Sequence, residues 1–146
     1  MAYNASQVIN GTFTSVWLDD QDFPEIASIE ATLEADVEDV AQSGTLEKGH
    51  KVTGMNGTGT LTLNHVYSDL KNQILSDLNS GRFSEHTMTV QNADPDSPNG
   101  QVESYTLSGV IFTSVGIVNA EVGSLGTSEF PFSFKSAKAT SAINRV

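Results

Sequence analysis

The chain has 146 residues, 18 acidic against 7 basic side chains, a formal net charge of −11 and no cysteine. A chain of this length fits one domain and buries roughly 68–70% of its unfolded surface, enough for a core without disulfides or a structural metal. The missing cysteine excludes thiolate catalysis, cysteine-ligated zinc and iron–sulfur clusters, and the acidic balance argues against general binding to nucleic acid or anionic membranes, which needs a basic surface.

Met1 to Gln7 hold no basic stretch leading into an apolar one, and no apolar run is long enough to span a bilayer. The sequence predicts a protein made in the cytoplasm and not secreted by a cleaved signal, with no membrane insertion. The Asn-x-Ser/Thr triplets starting at Asn4, Asn10 and Asn56 then carry no weight.

Residues 8–18 read as a strand, rich in β-branched and aromatic types through Thr12-Phe13-Thr14-Ser15-Val16-Trp17-Leu18, and Asp19-Asp20-Gln21-Asp22 is a polar turn after it. The expected return arm of this hairpin is Ile26 to Val40. There Ile29, Ala31, Leu33, Ala35 and Val37 alternate with Glu30, Thr32, Glu34, Asp36 and Glu38. The same residues fit a helix, because Ile26, Ile29, Leu33, Val37 and Val40 recur at three- and four-residue spacings. The unbroken alternation and the short turn before it favour a strand; the helical alternative stands beside it.

From Ala41 to Gly57 the chain is polar and glycine-rich with no sustained period, which predicts a long loop. Loops beyond about 12–15 residues are usually functional or disordered, so this stretch is the first candidate for contacting a partner. Thr58 to Val66 alternates again and reads as a half-buried strand. A helix is expected over Ser68 to Asn79, with Ser68 as cap, Asp69 at the positive end of the dipole and Leu70, Ile74, Leu75 and Leu78 as its apolar stripe. Gly81 ends it. Thr87 to Gln91 and Val102 to Val118 follow as strands joined by a turn ending in Asn99-Gly100. Phe130, Phe132 and Phe134 share one face of a last strand, in which Pro131 suits an edge or a strand start. Ser136 to Val146 form a small, polar C-terminal arm. The class is mainly β, or α+β, with six or seven strands and one helix.

Catalytic and ligand-binding patterns are weak. His50, His65 and His86 are far apart and match no metal or triad spacing. Asp94-x-Asp96 with Asn99-Gly100 has part of a calcium loop, but Tyr105 stands where the bidentate Glu belongs. Gly54-Met55-Asn56-Gly57-Thr58-Gly59-Thr60 lacks the Lys-Ser/Thr of a phosphate loop and leads into a strand. No enzyme activity and no cofactor are expected. The acidic block Asp19, Asp20, Asp22, Glu25, Glu30, Glu34, Asp36, Glu38 and Asp39, uninterrupted by Lys or Arg, reads either as a solvated face or as a surface that repels phosphate.

The run Gly49-His50-Lys51-Val52-Thr53-Gly54-Met55-Asn56-Gly57-Thr58-Gly59-Thr60, followed by an alternating strand and the Ser68–Gly81 helix, resembles the central segment of phage tail tube proteins, above all those of PBSX-type prophages with contractile tails. Val16-Trp17-Leu18-Asp19, Glu30-Ala31 and Glu129-Phe130-Pro131-Phe132-Ser133-Phe134 fall in the matching order. The resemblance implies one domain over residues 1–146, a small β-sandwich or barrel flanked by one helix, and a strand at 26–40. It further implies that six copies close into a ring and that rings stack into a hollow tube conducting DNA from capsid to host. The tube would be assembled in the host bacterial cytoplasm, become part of the virion or of a phage-derived particle, and bind tail sheath, baseplate and tail terminator proteins. A tape-measure protein would fill its lumen before ejection, and DNA would pass without specific binding.

By that analogy the 41–57 segment reaches an adjacent ring, which makes Lys48, Gly49, His50, Lys51, Gly54, Asn56 and Gly57 candidates for inter-subunit contact. Asp19, Asp20, Asp22, Glu34, Asp36, Glu38 and Asp39 are candidate lumen or interface acids. Two other functions stay open at this point: the tube of a genome-free contractile particle, such as an R-type bacteriocin or secretion system, and a small β-rich ligand-binding module.

Overall fold

The computed structural model describes residues 3–145; Met1, Ala2 and Val146 lie outside the described residues. Its strands are β1 (Thr14–Leu18), β2 (Gln21–Asp22), β3 (Ile26–Ala41), β4 (Lys48–Asn64), β5 (His86–Asn92), β6 (Glu103–Phe112), β7 (Thr127–Phe134) and β8 (Ser136–Ser141), and its helix is α1 (Asp69–Ser80). All pairings are antiparallel, in the order β2-β1-β5-β6-β7-β4-β3, with β8 also on β6. The fold class is mainly β.

The sheet folds on itself at β6. The first half of β6 pairs with β8 through Ser108↔Ser136, and its end pairs with β7 through Ile111↔Ser133 and Phe112↔Phe132. Between them Gly109 has φ 68°, a left-handed conformation open to glycine at no steric cost, and Lys135 N–H donates to the Ser108 carbonyl at 2.9 Å. One leaf, β2-β1-β5-β6-β8, thus faces the other, β6-β7-β4-β3, across a shared core. Val16, Leu18, Met88 and Leu107 from the first leaf and Leu61, Leu63, Phe130, Phe132 and Phe134 from the second are all buried there. Phe112 meets Phe130 and Phe132 edge-on, with ring centroids 6.4 and 6.1 Å apart.

Helix α1 closes one side through buried Leu70 and Ile74, with Leu75 and Leu78 half-buried. Ser68 precedes it without a side-chain capping bond. The carboxylate of Asp69 instead accepts from Gln21 Nε2 at 3.0 Å. Gly81, at φ 71°, ends the helix by donating its N–H to the Leu78 carbonyl.

Four sequence expectations are corrected. Residues before Thr14 form 3-10 turns at Ala5–Gln7 and Gly11–Phe13 rather than a strand, the second because the Asn10 side chain accepts the Thr12 N–H. The partner of β1 is β5 together with the short β2, while 26–41 pairs with β4. Most of the expected 41–57 loop is strand: β4 begins at Lys48, leaving only residues 42–47 as the turn. Its glycines lower strand propensity, and the β3 ladder overrides that. Finally, β6 stops at Phe112 and residues 113–126 are a loop, whereas 136–141 of the expected arm form β8.

The remaining motifs are structural. Asp94 is buried and accepts the N–H groups of Asn10 and Asp96, each at 2.9 Å, so it ties the β5–β6 turn to the N-terminal segment. Pro131 sits just beyond the β6–β7 pairing.

Candidate assembly surface

Strands β3 and β4 form the longest element of the protein. Beyond Gly57↔Phe134, where β7 stops, eight further residue pairs run from Glu34↔Asn56 to Ala41↔Lys48. At about 3.3 Å per residue this two-stranded ribbon projects some 26 Å past the sheet. Nearly every side chain on it is exposed. A lone two-stranded ribbon is at best marginally stable in water, so this one is built to be covered.

The period-two pleat separates its faces. One carries Ile29, Ala31, Leu33, Ala35 and Val37 opposite Leu61, Gly59, Gly57, Met55 and Val52; the other carries Glu30, Thr32, Glu34 and Asp36 opposite Thr60, Thr58, Asn56 and Gly54. A bulge at Thr53, whose hydroxyl donates to the Asp36 carbonyl at 3.2 Å, shifts the register and sets Glu38 opposite Lys51. Glu129 of β7, paired with Thr62 of β4, continues the acidic face toward the base of the ribbon.

Glycine is required on the apolar face. A Cβ at Gly57 would lie 2.5 Å from the Phe134 ring, and one at Gly59 would collide with the Glu30 carbonyl and lie 2.6 Å from Phe132. The Gly57-x-Gly59 spacing is therefore the seat for the Phe132 and Phe134 rings.

The candidate contact residues all lie on β4. Lys48 and Gly49 are opposite Ala41 and Val40 beside the turn, Lys51, Gly54 and Asn56 are opposite acids of β3, and Gly57 lies under Phe134. His50 Nδ1 is 2.8 Å from Asp39 Oδ1, an exposed pair.

The acidic block, by contrast, is dispersed. Glu34, Asp36 and Glu38 share a face with Glu30, whereas Asp39 points to the opposite face with His50. Asp22, on β2 opposite Trp17, is exposed and lies in the other leaf. Asp19 and Asp20, at φ 49° and 68°, form the two-residue β1–β2 turn. Asp19 accepts from the Thr87 N–H at 3.0 Å and lies 2.5 Å from Nδ1 of buried His86. Partial burial works to raise the Asp19 carboxyl, but the Thr87 N–H and the His86 hydrogen bond and charge outweigh it and hold the group below its ordinary value.

Sequence reasoning missed Glu129 as a member of the acidic face and missed the loop 113–126. Gly116, Gly123 and Gly126 were the available signal for that loop. Beneath it lies an open cleft of about 570 Å³ lined by His65, Lys71, Ile117, Val118 and Glu129. Its polar groups engage one another: Lys71 Nζ donates to the Ile117 carbonyl at 3.0 Å, and His65 Nδ1 is 3.2 Å from Ser128 Oγ. Among the described residues no three His, Asp or Glu side chains gather as metal ligands, and no helix is long and apolar enough to cross a membrane.

The described residues thus form a two-leaf β fold with one helix and a β3–β4 ribbon that projects past the sheet with both faces exposed. Residues 1–140 match the phage tail tube protein family, and the chain belongs to that family. It is 33% identical over 137 residues to the phage-like element PBSX protein XkdM of Bacillus subtilis strain 168, covering 92% of each chain. The fold is shared with a chain of the sheath–tube complex of an extracellular contractile injection system, at TM-score 0.69 and 13% identity over 97% of this chain and 100% of that one. It is shared too with a chain of the anti-feeding prophage tube-terminating cap, at TM-score 0.71 and 16% identity over 97% and 95%. The protein is thus a structural tail tube protein of a virion or phage-derived particle.

Proposed function

We propose that six copies of this chain, each one tail-tube domain, close into a ring and that rings stack into a hollow tube whose bore is lined by the acidic face of the β3–β4 ribbon. The separation of that ribbon into an acidic face and an apolar face supports the reading. The apolar face gives neighbouring subunits something to bury, and the acidic face, where Lys51 stands opposite Glu38, repels a passing polyanion on balance. Ring closure also pairs the free edges of β3 and β8, which are otherwise templates for aggregation. DNA is the cargo that such a bore suits, with a tape-measure protein occupying it beforehand and sheath, baseplate and terminator proteins meeting the outer wall and ends. Assembly takes place in the host cytoplasm.

The contact candidates act at the ring-to-ring junction, where Lys48 and Lys51 meet acidic side chains of another subunit and Gly49, His50, Gly54, Asn56 and Gly57 shape the strand that carries them. The test is negative-stain electron microscopy of the purified protein across a concentration series, with light-scattering mass. Six-fold rings and hollow filaments are the expected result; a monomer at every concentration, even with tail-assembly partners added, contradicts the reading.

The likeness to an injection-system tube favours one alternative, a particle of the same assembly that carries no genome. A gene neighbourhood without capsid and terminase genes would select it.

A further inference from the structure

At the base of the ribbon, opposite its turn, the loop 113–126 lies against the β4–α1 connection: His65 N–H donates to the Gly126 carbonyl at 2.9 Å, and Lys71 holds the Ile117 carbonyl. These two segments expose Val66, Tyr67, Ile117, Val118, Val122 and Leu125, of which Val122 and Leu125 are fully accessible. Single exposed apolar residues need no explanation, but six on two segments joined by these hydrogen bonds are more apolar side chains than one stretch of surface ordinarily exposes without a protein contact to cover them. At the opposite end of the same two strands Leu46 is also fully exposed, in the turn beside Lys48.

At the turn Lys48 follows Glu47, and Lys51 stands opposite Glu38. Lys48 and Lys51 are two of the 7 basic side chains of the chain. The base offers Glu121 and Glu129, and its own Lys71 is taken up by a backbone carbonyl. Turn and base belong to one ribbon, so a turn-on-base contact between identical chains is heterologous and repeats along the strand direction without closing.

We propose that the patch formed by loop 113–126 with Val66 and Tyr67 is the seat for the 42–47 turn of a second copy in the next ring, with Leu46 entering the patch and Lys48 facing Glu121. This rests on the tube reading, which supplies stacking but not the surface that receives the turn.

The cysteine-free chain allows a direct test. Tubes assembled under reducing conditions from the double variant Leu46→Cys/Val122→Cys are oxidised and run on a non-reducing gel. A ladder of dimers, trimers and longer species is expected, as is a single heterodimer when Leu46→Cys and Val122→Cys chains are mixed. Tubes that give no 46–122 bond, or that give chiefly 46–46 dimers, overturn the proposal while leaving the tube reading intact. Failure of the unmodified chain to form tubes overturns both. As a second measurement, Leu46→Glu and Val122→Glu are each expected to stop growth at single rings with an unchanged urea midpoint. Filaments of ordinary length from either variant contradict the proposal.

Discussion

Gly59 governs the sheet by what it lacks. Any side chain there meets the Glu30 carbonyl, which is backbone and cannot swing away, as well as the Phe132 ring. Overpacking of this kind costs of order 1–3 kcal/mol, and Gly59→Ala is expected at or above the upper end. Urea unfolding of the variant should show a lower midpoint at unchanged slope; a midpoint equal to that of the parent would contradict the close approach. Asp19 acts through charge. A carboxyl held lower in the fold than its ordinary 3.8 stabilises the fold above that value, and the contribution is lost as pH falls through the folded value. Asp19→Asn should therefore be less stable than the parent at pH 7, with the gap narrowing below about pH 4. An equal gap at both ends of the range would show that the Thr87 and His86 contacts do not stabilise the ionised form. Neither role was legible in the sequence. Asp19 appeared there as one acid among nine, and only the fold reveals that it faces a histidine 67 residues away.

At the scale of elements, legibility tracked burial. Helix α1 and the Phe130–Phe132–Phe134 strand were readable because each has a face committed to the core and clear end signals, Gly81 for the helix. The ribbon was harder. β3 alternates, but its projecting part is exposed on both sides, so nothing within the segment separates a period of two from one of 3.6. β4 from Lys48 to Gly57 reads as loop because three glycines interrupt any apolar pattern. Its strand character comes from the β3 ladder, with the phenylalanine rings of β7 seated on Gly57 and Gly59, a relation between segments 70 or more residues apart. The helix gives a graded test: Ile74→Asp should unfold the protein, whereas Leu75→Asp, at a half-buried site, should fold with a reduced midpoint. Circular dichroism melts compare the two, and equal effects would contradict the packing. On the ribbon, Lys48→Glu with Lys51→Glu should shorten tubes and leave the monomer melt unchanged. Tubes of parental length and yield would remove the charge contact from the stacking account.

For the whole molecule, an isolated chain with one end of its longest element uncovered is an incomplete object, which the proposed tube would complete by repetition. The net charge of −11 led the sequence reading to an acid-lined surface. The fold reduces that block to the carboxylates of one face, Glu30, Glu34, Asp36 and Glu38, joined by Glu129 from a different strand. Asp19, Asp20, Asp22 and Asp39 lie elsewhere. Composition could supply the charge but not its division between faces, which depends on strand parity and on the bulge at Thr53.

The acid-lined bore is tested most directly by a helical reconstruction of the assembled tube at side-chain resolution. The account predicts that Glu30, Glu34, Asp36 and Glu38 project into the lumen of every ring while Leu33, Val37 and Val52 are buried between subunits. Carboxylates of that face on the outer wall, around a neutral or basic bore, would contradict it.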